Sequence, residues 1–157
     1  HTRKKYLQII DKLKSKRSDI AISSDFIVGF PGETNKDFDD TMKLVDEVGF
    51  SIAYSFMYSP RPGTSAYKLL DIEKPIKKAR LSALQSLLKE QQIKFNKSFV
   101  GKELEILFDR KGRYDDQYIG RSIYNQSVFI KSDSNIIGKT YKKEISRSTD
   151  FALEAKF

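Results

Sequence analysis

Residues 25–34, with the sequence DFIVGFPGET, constrain the fold more than any other part of the chain. An apolar run enters a turn that contains two glycines and a proline, and a charged helical pattern begins directly after Thr34. A strand, a tight turn and a helix start in such close succession are typical of a parallel α/β fold. The sequence therefore predicts a loop at the carboxyl end of a buried strand.

The flanking segments complete a βαβ unit. Residues 20–28 and 52–57 are nearly continuous apolar runs, which are typical of parallel strands covered on both faces. Thr34 is predicted to cap the intervening helix with Asp37 as its capping-box partner, and Gly49 to end it. The buried stripe of this helix is predicted at Phe38, Met42, Val45 and Val48.

A second glycine–proline loop, YSPRPGT at residues 58–64, follows the second strand. Ligands of parallel α/β folds sit at the carboxyl ends of strands, so the two loops are expected to flank one pocket. A long basic helix is predicted at residues 76–98, because Leu81, Leu84, Leu88, Gln91 and Phe95 share one helical side.

The character of the sequence changes near Phe99. Five short strand patterns, separated by Gly, Asn, Asp and Ser, follow at residues 103–108, 114–123, 126–131, 137–147 and 151–157. They predict a small, closed or nearly closed antiparallel β-barrel of the OB-like kind. The predicted domains are therefore an α/β unit at residues 1–98 and a β-barrel at residues 99–157.

The composition limits the chemistry of the chain. Cys is absent and the only His is His1, so thiolate metal sites, disulfides and an internal imidazole base are excluded. We predict no catalytic residue and no metal ligand. No apolar run reaches the length of a membrane helix, which predicts no membrane association.

The net charge of +8 is concentrated in two helical segments, at residues 1–19 and 74–98. Basic helices are compatible with a polyanionic partner. Solvated, lysine-rich helix faces explain the same composition equally well.

The two loops carry the candidate ligand contacts. Gly29 and Gly32 allow a close approach of the backbone to a ligand, and Asp25 and Glu33 offer acceptors to ribose hydroxyls or an amino group. The helix start after Thr34 offers amide groups to an anion. A turn that merely needs glycine and proline accounts for the pattern as well.

Two further sets of residues suggest RNA contacts. Arg61, between two prolines, suits a phosphate or carboxylate, or is a plain surface charge. In residues 99–157, basic and aromatic side chains alternate as they do on nucleic-acid-binding surfaces. Aromatic residues of a small barrel, however, more often belong to its core. The candidates in this segment are Arg113, Tyr118, Arg121, Asn125 and Phe129.

The motifs DFIVGFPGET, YSPRPGT and KKARLSALQSL closely resemble the carboxyl-terminal half of the radical S-adenosylmethionine methylthiotransferases. GRSIYNQSVFI and IIGKTYKKEIS resemble the RNA-binding TRAM domain that ends this family's proteins. The resemblance is collinear and covers essentially the whole chain. It implies the carboxyl-terminal part of a partial (β/α) radical S-adenosylmethionine barrel, followed by a TRAM domain.

The resemblance implies a pocket for S-adenosylmethionine, in which Ile27 and Gly29 contact the adenosyl group and Asp25 lies close by. The loop after the second strand walls this pocket. The family's fifth-strand pattern Gly-x-Ile-x-Gly-x-x-Glu is altered here, because Asp25 replaces the first Gly and Glu33 falls one place late. The implied pocket residues are Asp25, Ile27, Gly29, Phe30, Gly32, Glu33, Tyr58 and Ser59.

The family's two [4Fe-4S] clusters are held by cysteines that precede the matching segment, and thiolates are the usual cluster ligands. The chain starts at His1 within a helical pattern, so we expect a fragment that is inactive alone. The expected parent enzyme is a cytoplasmic monomer that acts on the anticodon stem-loop of tRNA.

The loop sequence SPRPGT resembles the tRNA-modifying branch, which adds a methylthio group to N6-isopentenyladenosine next to the anticodon. An arginine at position 61 also makes physical sense in this branch, because it would face an RNA phosphate rather than a protein carboxylate. Two alternatives remain: a methylthiotransferase of the same family that modifies a ribosomal protein, and a non-catalytic RNA-binding module.

Overall fold

The computed structural model describes residues 2–156, which form two compact units. The first unit extends to Gln91 and the second begins at Gln92. This division lies inside a long helix, whereas the sequence places the boundary after that helix, near Phe99. The physical reason is that the last turns of the helix carry side chains that pack with the second unit.

The first unit contains the predicted βαβ arrangement. Its strands β1 and β2 pair in parallel, with Asp25 opposite Tyr54 and Ile27 opposite Phe56. The long helix starts two residues before the predicted residue 76 and ends one residue before the predicted residue 98. The elements are α1 (Arg3–Lys16), β1 (Ser23–Val28), α2 (Asn35–Val48), β2 (Ile52–Met57), a short 3-10 helix (Ser65–Lys68) and α3 (Lys74–Lys97).

All three helices contribute to one core on one face of the two-stranded sheet. This core contains Ile10, Val28, Val45, Val48, Phe50, Leu84 and Leu88. The opposite face is exposed, with Ile27, Tyr54 and Phe56 each more than half accessible. The continuous apolar runs predict a sheet that is covered on both faces, but residues 2–156 cover only one face of it.

The predicted capping box at the start of α2 is confirmed. Thr34 Oγ1 accepts a hydrogen bond from the Asp37 amide, and Asp37 Oδ2 accepts from the Thr34 amide and hydroxyl. The hydrogen bond from the Thr34 hydroxyl, followed by that from its amide, lowers the pKa of Asp37. The helix start is therefore already satisfied by an internal carboxylate, which disfavours a bound anion there.

We expect Thr34→Ala to raise the pKa of Asp37 toward its ordinary value and to cost about 1 kcal/mol of stability. A carboxyl whose pKa is lower in the folded state stabilises above its unfolded pKa, and this contribution disappears as the pH falls through the folded pKa. NMR titration of the Asp37 side chain in both proteins measures the shift. An Asp37 pKa that does not change would contradict the cap assignment.

The second unit is a closed five-stranded barrel with the strand order β3-β4-β5-β7-β6. The prediction of an antiparallel barrel holds for four of its pairings, but β5 and β7 pair in parallel. The last strand enters between β5 and β6, which closes the barrel. The strands are β3 (Glu103–Lys111), β4 (Gln117–Ser122), β5 (Ser127–Lys131), β6 (Thr140–Ser148) and β7 (Ala152–Ala155).

The end of α3 is part of the packing of this second unit. Phe95 and Phe99 pack edge to face at 5.0 Å, and both rings contact Tyr124. Asn96 and Gln126, both buried, are joined by a 2.9 Å hydrogen bond. None of the helices within residues 2–156 is long and apolar enough to cross a membrane.

Candidate ligand groove and nucleic-acid surface

A groove of about 670 Å³ lies where β1 and β2 end. The two strand ends meet there because β1 and β2 are parallel neighbours, so both glycine–proline loops leave the sheet at the same edge. The loop after β2 supplies most of the wall. The lining residues are Ile27, Phe30, Phe56, Met57, Tyr58, Ser59, Arg61, Thr64 and Ala66.

The groove combines apolar surface with a few polar groups. Ile27 and Phe56, neighbours across the strands, present more than half of their surface on the open face of the sheet. Phe30 packs edge to face on Tyr58 at 5.1 Å, which joins the two loops. The hydroxyl of Tyr58 is buried and has no hydrogen-bond partner among residues 2–156.

Lys77, in the first turn of α3, contacts both loops. Its buried ammonium group donates to Asp71 at 2.6 Å and to the carbonyl of Tyr58 at 3.3 Å. Its methylene stem fills the space beside Gly29, where an added Cβ would lie 2.3 Å from Lys77 Cγ. Gly29, at a φ of +74°, is therefore required by the close approach of Lys77 and by its own backbone conformation.

Arg80 lies one turn further along α3 and fixes the first loop. Its guanidinium donates to the Glu33 carboxylate at 2.7 Å, to the Glu33 carbonyl at 3.0 Å and to the Asn35 side chain at 2.9 Å. The other Glu33 oxygen accepts from the Gly29 amide at 3.0 Å. Both oxygens of the carboxylate are thus engaged within the protein.

The structure divides the predicted pocket residues into two groups. Ile27, Phe30, Tyr58 and Ser59 line the groove, together with Arg61. Asp25, Gly29, Gly32 and Glu33 do not, although Asp25 is on the exposed face of β1. The predicted ligand role of Glu33 is replaced by a structural one, because Arg80 and the Gly29 amide occupy its carboxylate.

Three lining residues were not predicted: Phe56, Met57 and Ala66. Thr64 belongs to the loop that was predicted to wall the pocket. The alternation of exposure along β2, in which Tyr54 and Phe56 are exposed, is the signal that identifies Phe56. A smaller cavity of about 300 Å³ lies beside Tyr58, and Asp71 and Lys77 are among its lining residues.

The barrel brings three of the predicted RNA contacts together. Arg121 donates to the carbonyl of Asn125 at 3.2 Å, and Phe129 lies on the neighbouring strand, opposite Ile119. Arg113 lies in the β3–β4 loop, at the other end of β4 from Asn125. These four residues therefore do not form one cluster.

The prediction of Tyr118 as an RNA contact is wrong. Its side chain is 4% exposed and belongs to the barrel core with Phe108 and Ile130. The reason is the alternation along β4, which turns Tyr118, Gly120 and Ser122 inward and Ile119 and Arg121 outward.

The strand register adds two outward residues to this surface. Leu107 is opposite Arg121, and Arg110 is opposite Ile119, across the β3–β4 pair. We call Leu107, Arg110, Ile119, Arg121 and Phe129 the outer patch. It combines two arginines with aliphatic and aromatic surface, as sites for single-stranded nucleic acids do.

The described part of the chain contains no candidate metal site. Within residues 2–156, no group of three or more His, Cys, Asp or Glu side chains is placed to hold a metal ion.

The class of the second unit follows from its barrel and from its sequence. Residues 97–157 match the family model described as "TRAM domain", so this segment is a TRAM domain. The predicted TRAM assignment is confirmed.

The chain is also homologous to curated tRNA-modifying enzymes. It is 54% identical over 136 residues to "tRNA-2-methylthio-N(6)-dimethylallyladenosine synthase" of Ehrlichia chaffeensis (strain ATCC CRL-10679 / Arkansas). The aligned segment covers 85% of this chain and 31% of that protein. Proteins of the same name from Rickettsia bellii (strain OSU 85-389) and Rickettsia akari (strain Hartford) are each 48% identical to it, over 94% and 95% of this chain. The alignment spans about a third of the length of these relatives, at 34% in both Rickettsia proteins.

Proposed function

We propose that this chain is the carboxyl-terminal part of a radical S-adenosylmethionine methylthiotransferase that adds a methylthio group to N6-isopentenyladenosine next to the anticodon of tRNA. The observation that carries the proposal is the homology to three synthases of that name over most of this chain. In this assignment, the first unit supplies one side of the cofactor pocket and the TRAM domain supplies an RNA-binding surface.

The groove fits S-adenosylmethionine by size and by chemistry. Its volume of about 670 Å³ is in the range of roughly 300–1,000 Å³ that is typical of small-molecule sites. Ile27 and Phe56 offer apolar surface to a purine ring. Tyr58 and Phe30 add aromatic rings to the groove wall.

The bound cofactor would supply the methyl group and the radical chemistry of the reaction, together with iron–sulfur clusters. This chain contains no cysteine, so the cluster ligands belong to other parts of the parent protein. The contribution of these residues is to bind and orient the cofactor against Ile27, Phe30, Tyr58 and Ser59.

Positive charge supports the RNA part of the proposal. Arg61 lies at the rim of the groove, and the outer patch of the TRAM domain adds Arg121 and Arg110, the second of which forms an exposed ion pair with Asp109. Guanidinium groups bind phosphates in a bidentate geometry, and Phe129 offers a surface on which a base stacks.

Arg61→Glu is expected to weaken the binding of an anticodon stem-loop RNA about tenfold, and to lower the slope of log K against log salt by about one. Filter binding across a salt series measures both quantities. Lys12→Glu, an equal charge change at an exposed position of α1, is the control and should have a smaller effect.

The same titration tests the alternatives. Wild-type binding without salt dependence would contradict phosphate contacts and with them the RNA-binding role. Salt-dependent binding that Arg61→Glu leaves unchanged would remove the support of Arg61 for the tRNA-modifying branch over the branch that modifies a ribosomal protein.

A further inference from the structure

Lys77 is a buried basic residue that the proposed binding role does not use directly. Its side chain is 8% exposed, although the helix around it is basic and mostly solvated. A buried ammonium group needs a specific partner, because removing its charge from water is costly. Its partners are the Asp71 carboxylate and the Tyr58 carbonyl.

These two partners are the ends of one segment. We call residues 58–71 the strap. It leaves the sheet at Tyr58, supplies Ser59, Arg61, Thr64 and Ala66 to the groove wall, and ends at Asp71 beside α3. Lys77 therefore holds both ends of the strap at one ammonium group.

Beyond Tyr58, whose ring packs on Phe30 and whose amide donates to the Val28 carbonyl, the described residues hold the strap by few contacts. Residues 61–70 are exposed apart from Ala66, and Leu70 is 92% accessible. Their backbone hydrogen bonds are local, from Thr64 to Arg61, from Tyr67 to Thr64 and from Leu69 to Ala66. Segments with few buried apolar contacts open at low free energy, so a single charged contact has a large influence on them.

The stem of the same side chain contacts the first loop at Gly29. Lys77 thus touches both loops that flank the groove. We propose that Lys77 is a positioning residue, which sets the shape of the groove by fixing the strap through its ammonium group and the first loop through its stem. Asp71 is its partner in this role.

Hydrogen exchange in the full 157-residue chain without ligand tests this role. Lys77→Met keeps an apolar stem beside Gly29 and removes only the charge. Asp71 is 38% exposed on its side chain, so water solvates the carboxylate that is left. We expect the hydrogen-bonded amides of the strap, those of Thr64, Tyr67 and Leu69, to exchange about tenfold faster, with unchanged rates in β1, α2 and the barrel.

Lys78→Met is the matched control, because Lys78 is the exposed neighbour on the same helix. It should leave exchange in the strap unchanged. Strap exchange in Lys77→Met that equals the wild-type rate would overturn the proposal. Faster exchange spread evenly over the first unit would overturn it as well, because Lys77 would then stabilise the fold generally.

A double-mutant cycle tests whether Lys77 and Asp71 act as a pair, and its Asp71→Asn variant tests the contact even if Lys77→Met does not fold. Asp71→Asn should accelerate strap exchange to a similar extent, and the double variant should be no faster than either single variant, because both remove the same contact. Fully additive effects, or an Asp71→Asn variant with wild-type exchange, would contradict the pairing.

A ligand measurement completes the test, and it alone rests on the proposed function. Equilibrium dialysis with S-adenosylmethionine should show about tenfold weaker binding by Lys77→Met than by Lys78→Met. Equal affinities would overturn the positioning role. If the wild-type chain shows no binding, the failure belongs to the proposed ligand, and the exchange experiment decides the role of Lys77 independently.

Discussion

Gly120→Ala is expected to destabilise the TRAM barrel by about 3 kcal/mol, because the added methyl group collides with main-chain atoms. A Cβ at this position would lie 2.3 Å from the carbonyl oxygen of Leu107 and 2.9 Å from Phe108 Cα. The register of β3 against β4 shifts between Phe108 and Arg110, and this irregularity accompanies the close approach of the two backbones. Following the barrel amides by NMR during a urea titration measures the loss.

Gly112→Ala provides a control with the same nominal clash. Its Cβ would also lie 2.3 Å from another atom, but the atoms that it meets, Oε1, Cδ and Cγ, all belong to the flexible side chain of Gln117. A flexible side chain moves away at a cost below about 1 kcal/mol, whereas a strand backbone does not. Equal stabilities of the Gly120→Ala and Gly112→Ala proteins would show that the close backbone approach at Gly120 is unimportant.

Arg80→Met is expected to cost about 3 kcal/mol in the first unit, because it leaves a mostly buried carboxylate without its cation. The side chains of Arg80 and Glu33 are only 8% and 13% exposed. Arg80 also lies over the Phe38 ring, 5.7 Å from its centroid, and donates to the Asn35 side chain. Urea unfolding followed by the amides of β1 and α2 measures the change.

The double variant Arg80→Met/Glu33→Gln separates the lost charge pair from lost packing. A glutamine at position 33 still accepts from the Gly29 amide but carries no charge that needs compensation. We expect the double variant to recover a large part of the stability lost in the single variant. A single variant that loses less than about 1 kcal/mol would contradict the importance of this pair.

Local patterns predicted the framework of the first unit correctly. The capping box of Thr34 and Asp37, the end of α2 at Gly49 and the parallel pairing of β1 with β2 each depend on residues close in sequence or on periodicity. Gln91 was placed correctly on the buried side of α3, where it accepts from the Phe50 amide and donates to the Val45 carbonyl.

Contacts between distant residues were not predictable in this way. Lys77 and Arg80 belong to a basic helix and were interpreted as solvated or polyanion-binding charges. They are instead buried, because each faces one acid and one main-chain carbonyl from loops that precede the helix. Composition gives the charge of such residues but not their partners.

In the barrel, too, local patterns did not predict the contacts between distant residues. Five strands were predicted from turn residues and alternation, yet the parallel pairing of β5 with β7 depends on where the last strand enters. Tyr118 and Phe129 are both aromatic residues on short strands, and only the register shows that one faces the core and the other faces outward. The outer patch includes Arg110 and Leu107 for the same reason.

The most direct measurement of the central claim uses a chimera of the Ehrlichia chaffeensis synthase, in which this chain replaces the 136 aligned residues. Nucleoside mass spectrometry of tRNA that contains N6-isopentenyladenosine would follow the reaction. We predict that the chimera forms the methylthio derivative, and that Lys78→Met, away from the groove, does not abolish it. A folded chimera that carries its iron–sulfur clusters but leaves this nucleoside unmodified would contradict the proposed function.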